Sequence, residues 1–175
     1  KLKQIGNQNV LAMICDSTNV FNEGRAGSES DVRESLLNIV AKQKKKIIVT
    51  TFASNVARME TVFYCAKKTN RQISLVGRSM HRIYKAARQC GYLQNLIEPI
   101  DPREAKKIAR DKIIYLSTGS QGEPMGATKR IVNGTHPDVY LEKGDTIIFS
   151  SKIIPGNEKK LYAMHNEIVR NGIEI

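Results

Sequence analysis

Five short segments of this 175-residue chain concentrate side chains that could hold an anion or a metal ion. They are "DSTN" at 16–19, "ASN" at 53–55, "GRSM" at 77–80, "TGSQGEP" at 118–124 and "SSKIIPGN" at 150–157. All are rich in Ser, Thr, Asn and Gly. Hydroxyls and open backbone N–H groups of this kind, placed beside helix N-termini, donate to phosphate-like anions. Arg78 adds a planar fork able to donate two parallel hydrogen bonds to one phosphate. Gly, Ser and Asn also make ordinary turns, so each segment keeps a turn-forming reading beside the functional one. Asp16 has two readings as well: a carboxylate metal ligand at a strand end, or an Asx-turn or helix cap.

The elements that must position these segments are visible as periodicity. Apolar, β-branched runs recur at 9–15, 46–52, 72–77, 112–117 and 145–151, and each ends at one of the five segments. They are near-continuous rather than alternating, which predicts strands covered on both faces. Helical patterns lie between them. "SDVRESLLNIVAKQ" sets Val32, Leu36, Ile39 and Val40 on one stripe, with Ser30 as the expected N-cap. "NVARMETVFYCAKK" and "SMHRIYKAARQCGY" continue the pattern, the second with Gly91 at a C-terminal cap position. "DPREAKKIARD" opens with an Asp cap, Pro102 and Glu104 in capping-box register, and "NEKKLYAMHNEIVRNG" ends on Gly172. Strand and helix in alternation predict an α/β fold, a Rossmann-like doubly wound and mainly parallel sheet flanked by helices. In such a sheet all five segments share the edge outside the carboxyl ends of the strands, where ligands bind.

Several chemistries are excluded by pattern. "GSQGEPMGATK" has no Gly-Lys-Ser/Thr and is not a nucleotide-hydrolysing P-loop, and no GxGxxG joins a strand to a helix. No GxSxG supports a serine hydrolase. His81, His136 and His165 stand far apart, outside HxH or HExxH spacing, and read as surface or helix histidines. Cys15, Cys65 and Cys90 form no CxxC and no disulfide framework; they read as reduced thiols of a cytoplasmic protein. No apolar run approaches the ~20 residues that span a bilayer, and there is no signal peptide. The first residue is Lys1 and the last run is "GIEI", as expected of a piece cut from a longer protein.

Charge narrows the partners. Lys and Arg number 28 against 17 Asp and Glu, a formal net charge of +11. That excess favours a polyanion, nucleic acid first and an anionic membrane surface second. The run Lys42, Lys44, Lys45, Lys46 reads as a solvated helix end that complements the helix dipole.

In order along the chain, "CDSTN", "GSESDV", "TTFASNVARM", "VGRSM", "STGSQGEPMGA" and "GDTIIFSSKIIPGNE" resemble ribonuclease J, a β-CASP member of the metallo-β-lactamase superfamily. The resemblance implies that 1–20 is the end of a first metallo-β-lactamase segment and 21–175 the inserted β-CASP domain. It implies a parent enzyme that cleaves RNA by 5′-to-3′ exonucleolytic and endonucleolytic routes with two Zn2+ ions that activate water. The HxHxDH motif of the family is absent here, so no catalytic residue falls within the chain. Asp16 alone matches a metal ligand. The matching substrate-binding positions are Ser54 and Asn55, Arg78 and Ser79, and Ser120 and Gln121. Glu123 is expected to cap or to form a salt bridge. RNA carrying a 5′-monophosphate is the implied ligand, the absent metallo-β-lactamase domain is the implied partner, and no membrane is involved. Oligomeric state is open, self-association included. The competing readings are a non-catalytic Rossmann-type nucleotide-binding module and a related hydrolase acting on DNA or a small ester.

Overall fold

The structure is a computed structural model that describes residues 2–15, 21, 23–24 and 27–175. Four strands form one all-parallel sheet: β1 (Ile47–Thr50), β2 (Gln72–Val76), β3 (Ile113–Ser117) and β4 (Thr146–Phe149), in the order β2-β3-β1-β4. The helices are α1 (Leu2–Gly6), α2 (Glu29–Lys42), α3 (Val56–Lys68), α4 (Arg78–Gln89), α5 (Pro102–Ala105), α6 (Ala127–Val132) and α7 (Glu158–Arg170).

Alternate strand residues feed two separate cores, as the two-residue period of a strand requires. Ile47, Val49, Ile73, Leu75, Ile114 and Leu116 pack against α2, α3 and α4 through Leu36, Val40, Met59, Val62, Phe63, Met80 and Ala87. Ile48, Val76, Ile113, Tyr115 and Ile147 face the other way, against Ala105, Ala127, Ile131, Val132, Leu161, Met164 and Ile168 of α5, α6 and α7. This is the doubly wound sheet that the near-continuous apolar runs predict.

The expected strand at 9–15 is not one. Residues 9–15 have no strand partner among the described residues, and Leu11 and Ile14 are fully exposed. An isolated apolar run cannot satisfy its backbone as a strand without a neighbour to pair with. The adjoining "DSTN", Asp16 included, lies outside the described residues.

Caps account for smaller departures. The N-cap of α2 is Ser28 rather than Ser30: its Oγ accepts from the Asp31 N–H, and Asp31 Oδ2 accepts from the Ser28 N–H at 2.7 Å. This is a capping box with Asp in place of Glu, started two residues earlier. "DPREAKKIARD" gives only the four-residue α5, because Ile108 is its one large apolar side chain, beside Ala105 and Ala109, and no stripe continues. Asp101 caps α5 through the Arg103 N–H at 2.8 Å, while Glu104 pairs with Lys107 and closes no capping box. Gly91 and Gly172 follow α4 and α7 with φ of +83° and +69°, as helix-ending glycines do.

The lysine run also differs from expectation at its last member. Lys46 is 5% exposed, donates to the Tyr140 carbonyl at 2.7 Å and lies 4.1 Å from the Tyr140 ring centroid. Burial holds its ammonium below the usual lysine range. Nearby, Arg71 donates to the carbonyls of Lys45 and Gln43. Arg110 donates to Asp145 at 2.6 Å, a carboxylate whose side chain is fully buried. Asp145 Oδ2 also accepts from the Glu142 N–H at 2.9 Å. The amino edge of the sheet is thus knit together by cations.

Arg110→Ala should destabilise the fold by about 3–5 kcal/mol, because it strands a buried carboxylate, a larger loss than a surface ion pair carries. Urea unfolding checks this; a change under about 1 kcal/mol would reduce the pair to a surface contact.

Candidate phosphate-binding cleft

The four strands end in "TFASN", "GRSM", "TGSQGEP" and "SSKIIPGN" on one edge of the sheet. Between β2 and β3 this edge opens into a cleft of about 850 Å3. One wall is α4, with Arg78, Ser79, His81 and Arg82; the other is the β3–α6 loop and α6, with Thr118, Gly119, Glu123 and Arg130. His136 and Asp138 close one end.

The β3–α6 loop is built as a rigid rim. A Cβ at Gly126 would lie 2.8 Å from the Gly119 Cα, so the two ends of the loop meet at a contact only glycine permits. The Gly126 N–H donates to the Glu123 carbonyl at 2.9 Å and closes the turn. Below the loop, Thr128 Oγ1 lies 2.9 Å from Thr50 Oγ1, 3.1 Å from Ser117 Oγ and 2.8 Å from the Thr118 carbonyl oxygen. This buried hydroxyl cluster ties α6 to the ends of β1 and β3.

Gln121 belongs to that framework, while the buried Ser120 Oγ has no hydrogen-bond partner among the described residues. Ser120 and Gln121 are 2% and 3% exposed and do not line the cleft. The Gln121 amide donates to the Lys152 carbonyl at 2.9 Å, and its oxygen accepts from the Ile154 N–H at 2.8 Å. It therefore clamps the "SSKIIPGN" loop to the "TGSQGEP" loop. Glu123 accepts from the Gln121 N–H at 2.9 Å, the capping role expected of it.

Ser54 and Asn55 stand apart from Arg78 and Ser79. β3 lies between β1 and β2, and neither Ser54 nor Asn55 lines the cleft. Asn55 caps α3 by accepting from the Arg58 N–H at 2.9 Å; Ser54 is exposed. Arg58 is committed too: it donates to Glu29 at 2.7 Å and to Ser150 Oγ at 2.6 Å, and this holds the Glu29 carboxyl below the usual range.

Arg78 and Ser79 do reach the cleft, as the first two residues of α4. The cap position is Gly77, not Ser79. Gly77 has φ +109°, and a Cβ there would collide with the Thr118 side chain. No side chain caps α4. Its first N–H groups thus open toward the cleft without a side-chain acceptor, where an anion would be favoured. Neither Arg78 nor Arg82 has an ion-pair partner among the described residues. Arg130 makes only a 3.4 Å contact to the Thr135 carbonyl. The carboxylates are in the opposite condition: Glu123 is bonded to backbone, and Asp138 is paired with Lys106 at 2.9 Å, which lowers its pKa. Among the described residues the cleft therefore presents positive charge without ion-pair partners and negative charge that is bound.

Arg82, Arg130 and His136 are additions to the residues singled out from sequence. The spacing Arg78–Arg82 was the available signal, since i and i+4 share a helix face. His136 carried none, because it depends on a loop closing on itself. Its Nδ1 accepts from the N–H groups of Asp138 at 3.2 Å and Val139 at 3.1 Å. That assigns the proton of the neutral ring to Nε2. Burial, then the charge of Arg130, pushes the imidazole pKa down. Among the described residues no group of three or more His, Cys, Asp or Glu is placed to hold a metal ion. Cys65 is buried, with its thiol pushed up to about 11 by desolvation, and is inert at neutral pH.

Comparison with known proteins agrees with the fold. The family model described as ribonuclease J, β-CASP domain, matches residues 44–168. A ribonuclease J of Sinorhizobium meliloti is 41% identical over 175 residues, covering 100% of this chain and 31% of that protein. A ribonuclease J of Corynebacterium glutamicum is 36% identical over 177 residues, covering 99% of this chain and 24% of that protein. Ribonuclease J 1 of Streptococcus pyogenes is 37% identical, with 100% and 31% covered. The doubly wound sheet and the family match together define an α/β domain of the β-CASP type. The chain belongs to the ribonuclease J family, and it spans less than a third of the length of these relatives.

The histidine geometry makes a pH prediction. The folded state resists protonation of His136, while the unfolded chain takes up the proton near pH ~6.5. Its contribution is full above that value and is lost as the pH falls through it. His165, desolvated beside Phe149, adds to the same loss. His136→Asn, which retains an acceptor, should remove part of the stability loss between about pH 7 and 5 measured by urea midpoints. An unchanged loss would show that His136 does not titrate across this range.

Proposed function

We propose that this chain is the RNA-binding β-CASP portion of a zinc-dependent ribonuclease that acts in RNA processing and decay, by 5′-to-3′ exonucleolytic and endonucleolytic routes. The observation that carries the reading is the cleft between β2 and β3, where Arg78 and Ser79, at a helix start with no side-chain cap, stand beside Arg82 and Arg130, and these arginines have no ion-pair partner among the described residues. Family membership and the +11 balance support RNA as the polyanion. In this reading Arg78 and the first N–H groups of α4 receive a 5′-terminal monophosphate. A terminal monophosphate carries more charge than an internal diester and gains more from such a site.

The zinc pair would be held outside this chain, with Asp16 as the one ligand contributed from it. When bound, the metals would activate water for attack on the phosphodiester. The described residues supply positioning alone: a rigid rim through Gln121 and Thr128, and a cationic wall. The greater length of the relatives supports a metallo-β-lactamase domain as the partner. The exposed apolar residues Leu11, Met13 and Ile14 suit burial against such a domain.

Two outcomes follow. Asp16→Ala in the full-length protein should lower bound zinc, measured by elemental analysis, and abolish cleavage, while residues 1–175 alone turn over no 5′-monophosphorylated RNA with zinc or manganese. Unchanged zinc content would leave Asp16 a turn-forming residue, and turnover by the purified fragment would overturn the assignment of catalysis to residues outside it. Separately, Arg78→Ala in the full-length protein should slow exonucleolytic decay of 5′-monophosphorylated RNA roughly 10-fold or more, the scale of losing a charged hydrogen bond of ~1.5–3 kcal/mol. Internal cleavage should suffer less. Equal loss of both activities would assign Arg78 to the fold or to a domain interface.

A further inference from the structure

The four long helices differ in one respect. α2, α3 and α7 each carry at least one carboxylate, whereas α4, "RSMHRIYKAARQ", carries none. Its inner stripe is the buried Met80 and Ala87 with the half-buried Ile83 and Tyr84, and its outer stripe is Arg78, Arg82 and Lys85 with His81 beside them. Positions i, i+4 and i+7 share one face, so the three cations form a line. The 7 residues from Arg78 to Lys85 rise about 10 Å along the axis. Arg88, at the far end, is the cation with a counter-ion, Glu98, and so does not extend the free row. Neither Arg82 nor Lys85 has an ion-pair partner among the described residues.

This arrangement works against the stability of the free helix. Arg78 and Arg82 repel each other at i, i+4, and Arg78 sits at the positive end of the helix dipole. A local rule broken without a compensating contact inside the fold marks a surface whose compensation comes from outside. A row of cations that begins in the cleft with Arg78 and Arg82 and continues past it to Lys85, none with an ion-pair partner among the described residues, fits a polymer of evenly spaced phosphates better than it fits a single small anion.

We propose that the outer face of α4 is a track for the phosphodiester backbone of RNA: Arg82 and Lys85 bind internal phosphates whatever the chemical state of the 5′ end. The proposal rests on the RNA-binding reading above and assigns it a second, end-independent contact surface.

The test measures affinity of the full-length protein, with metal chelated to prevent cleavage, for a short unstructured RNA. The RNA carries either a 5′-hydroxyl or a 5′-monophosphate, and salt is varied from about 50 to 200 mM. Arg82→Gln with Lys85→Gln should reduce the slope of log affinity against log salt by about 1.4, two phosphates at about 0.7 each. Both RNAs should weaken equally. Arg82→Glu should also raise the melting temperature of the free protein, since it pairs with Arg78 and Lys85. An unchanged slope in a wild-type protein that binds RNA would overturn the track and leave the RNA reading standing. Weakening of the monophosphorylated RNA alone would return Arg82 and Lys85 to the 5′ site and overturn the track. Absence of any wild-type binding at low salt would overturn the RNA reading itself. Binding to phosphatidylserine vesicles that needs Arg82 and Lys85, without RNA binding, would assign the face to a membrane and overturn the proposal.

Discussion

Burial of the sheet on both faces is the constraint from which the rest follows. Ile47, Ile48, Val49, Ile73, Ile114 and Ile147 are fully buried, and an unpaired charge on either face would cost several kcal/mol. Charged groups can then serve the sheet only at its two ends. At the amino end they are spent on structure: Lys46 and Arg71 satisfy carbonyls that end elements, and Arg110 neutralises Asp145. At the carboxyl end Arg58 is spent in the same way, on Glu29 and Ser150, while Arg78, Arg82 and Arg130 have no ion-pair partner among the described residues. The basic excess of the chain is therefore two populations, one that holds the fold and one that faces outward.

A free cation is useful only if its surroundings do not move to neutralise it. The carboxylates nearest the cleft are restrained by partners that fix their positions: Glu123 by the Gln121 N–H and Asp138 by Lys106. Gln121 and Thr128 then fix the loop that carries Glu123, through four hydrogen bonds within 2.9 Å to Lys152, Ile154, Thr50 and Thr118. Polar residues buried in this way are costly unless satisfied, and here they are satisfied by the neighbouring loops. The unusual "TGSQGEP" segment is best understood as this support. Its Ser120 and Gln121 are buried, and the cleft is lined by Thr118, Gly119 and Glu123 of the segment.

The fold could be read from the chain because apolar periodicity is a local record of burial. Four of the five apolar runs are strands and the long helices fall where their stripes predict. The fifth run, 9–15, has the same local record without a partner among the described residues, and a single-chain pattern cannot distinguish the two cases. The site was readable only in part. Arg78 and Ser79 sit directly after a strand, so sequence position fixes their place at the sheet edge. Ser54 and Asn55 follow a strand just as directly, yet strand order separates them from Arg78, and strand order is not written in periodicity. Gln121 was misleading for a physical reason: a side chain suited to bind phosphate is equally suited to bind backbone, and local sequence does not say which is nearer; Ser120 is simply buried beside it. His136 depends on a turn between residues 136 and 139, with no motif to announce it.

Strand order also explains why the cleft lies where it does. The helices that follow β2 and β3 leave toward opposite faces, α4 onto one core and α6 onto the other. Adjacent strands whose connections diverge in this way open a crevice at their carboxyl ends. β1 and β3 diverge in the same manner, through α3 and α6, and so do β1 and β4, through α3 and α7, so the sheet offers three crevices. The second is closed by its own side chains: Thr128 bridges Thr50 and Ser117, and the Thr51 N–H donates to the Ser117 carbonyl at 3.2 Å. The third is crossed by Thr51 Oγ1, which donates to the Ser150 carbonyl at 3.0 Å, and by Arg58, which donates to Ser150 Oγ at 2.6 Å. The first keeps the backbone bond from the Thr118 N–H to the Val76 carbonyl at 3.3 Å but has no side-chain bridge among the described residues, and Gly77 stands where a side chain would meet Thr118. Topology provides three openings of one kind. The hydroxyls at 50, 117 and 128, the Arg58–Ser150 contact and the glycine at 77 determine which of them is left for a ligand, and arginines without an ion-pair partner among the described residues line that one.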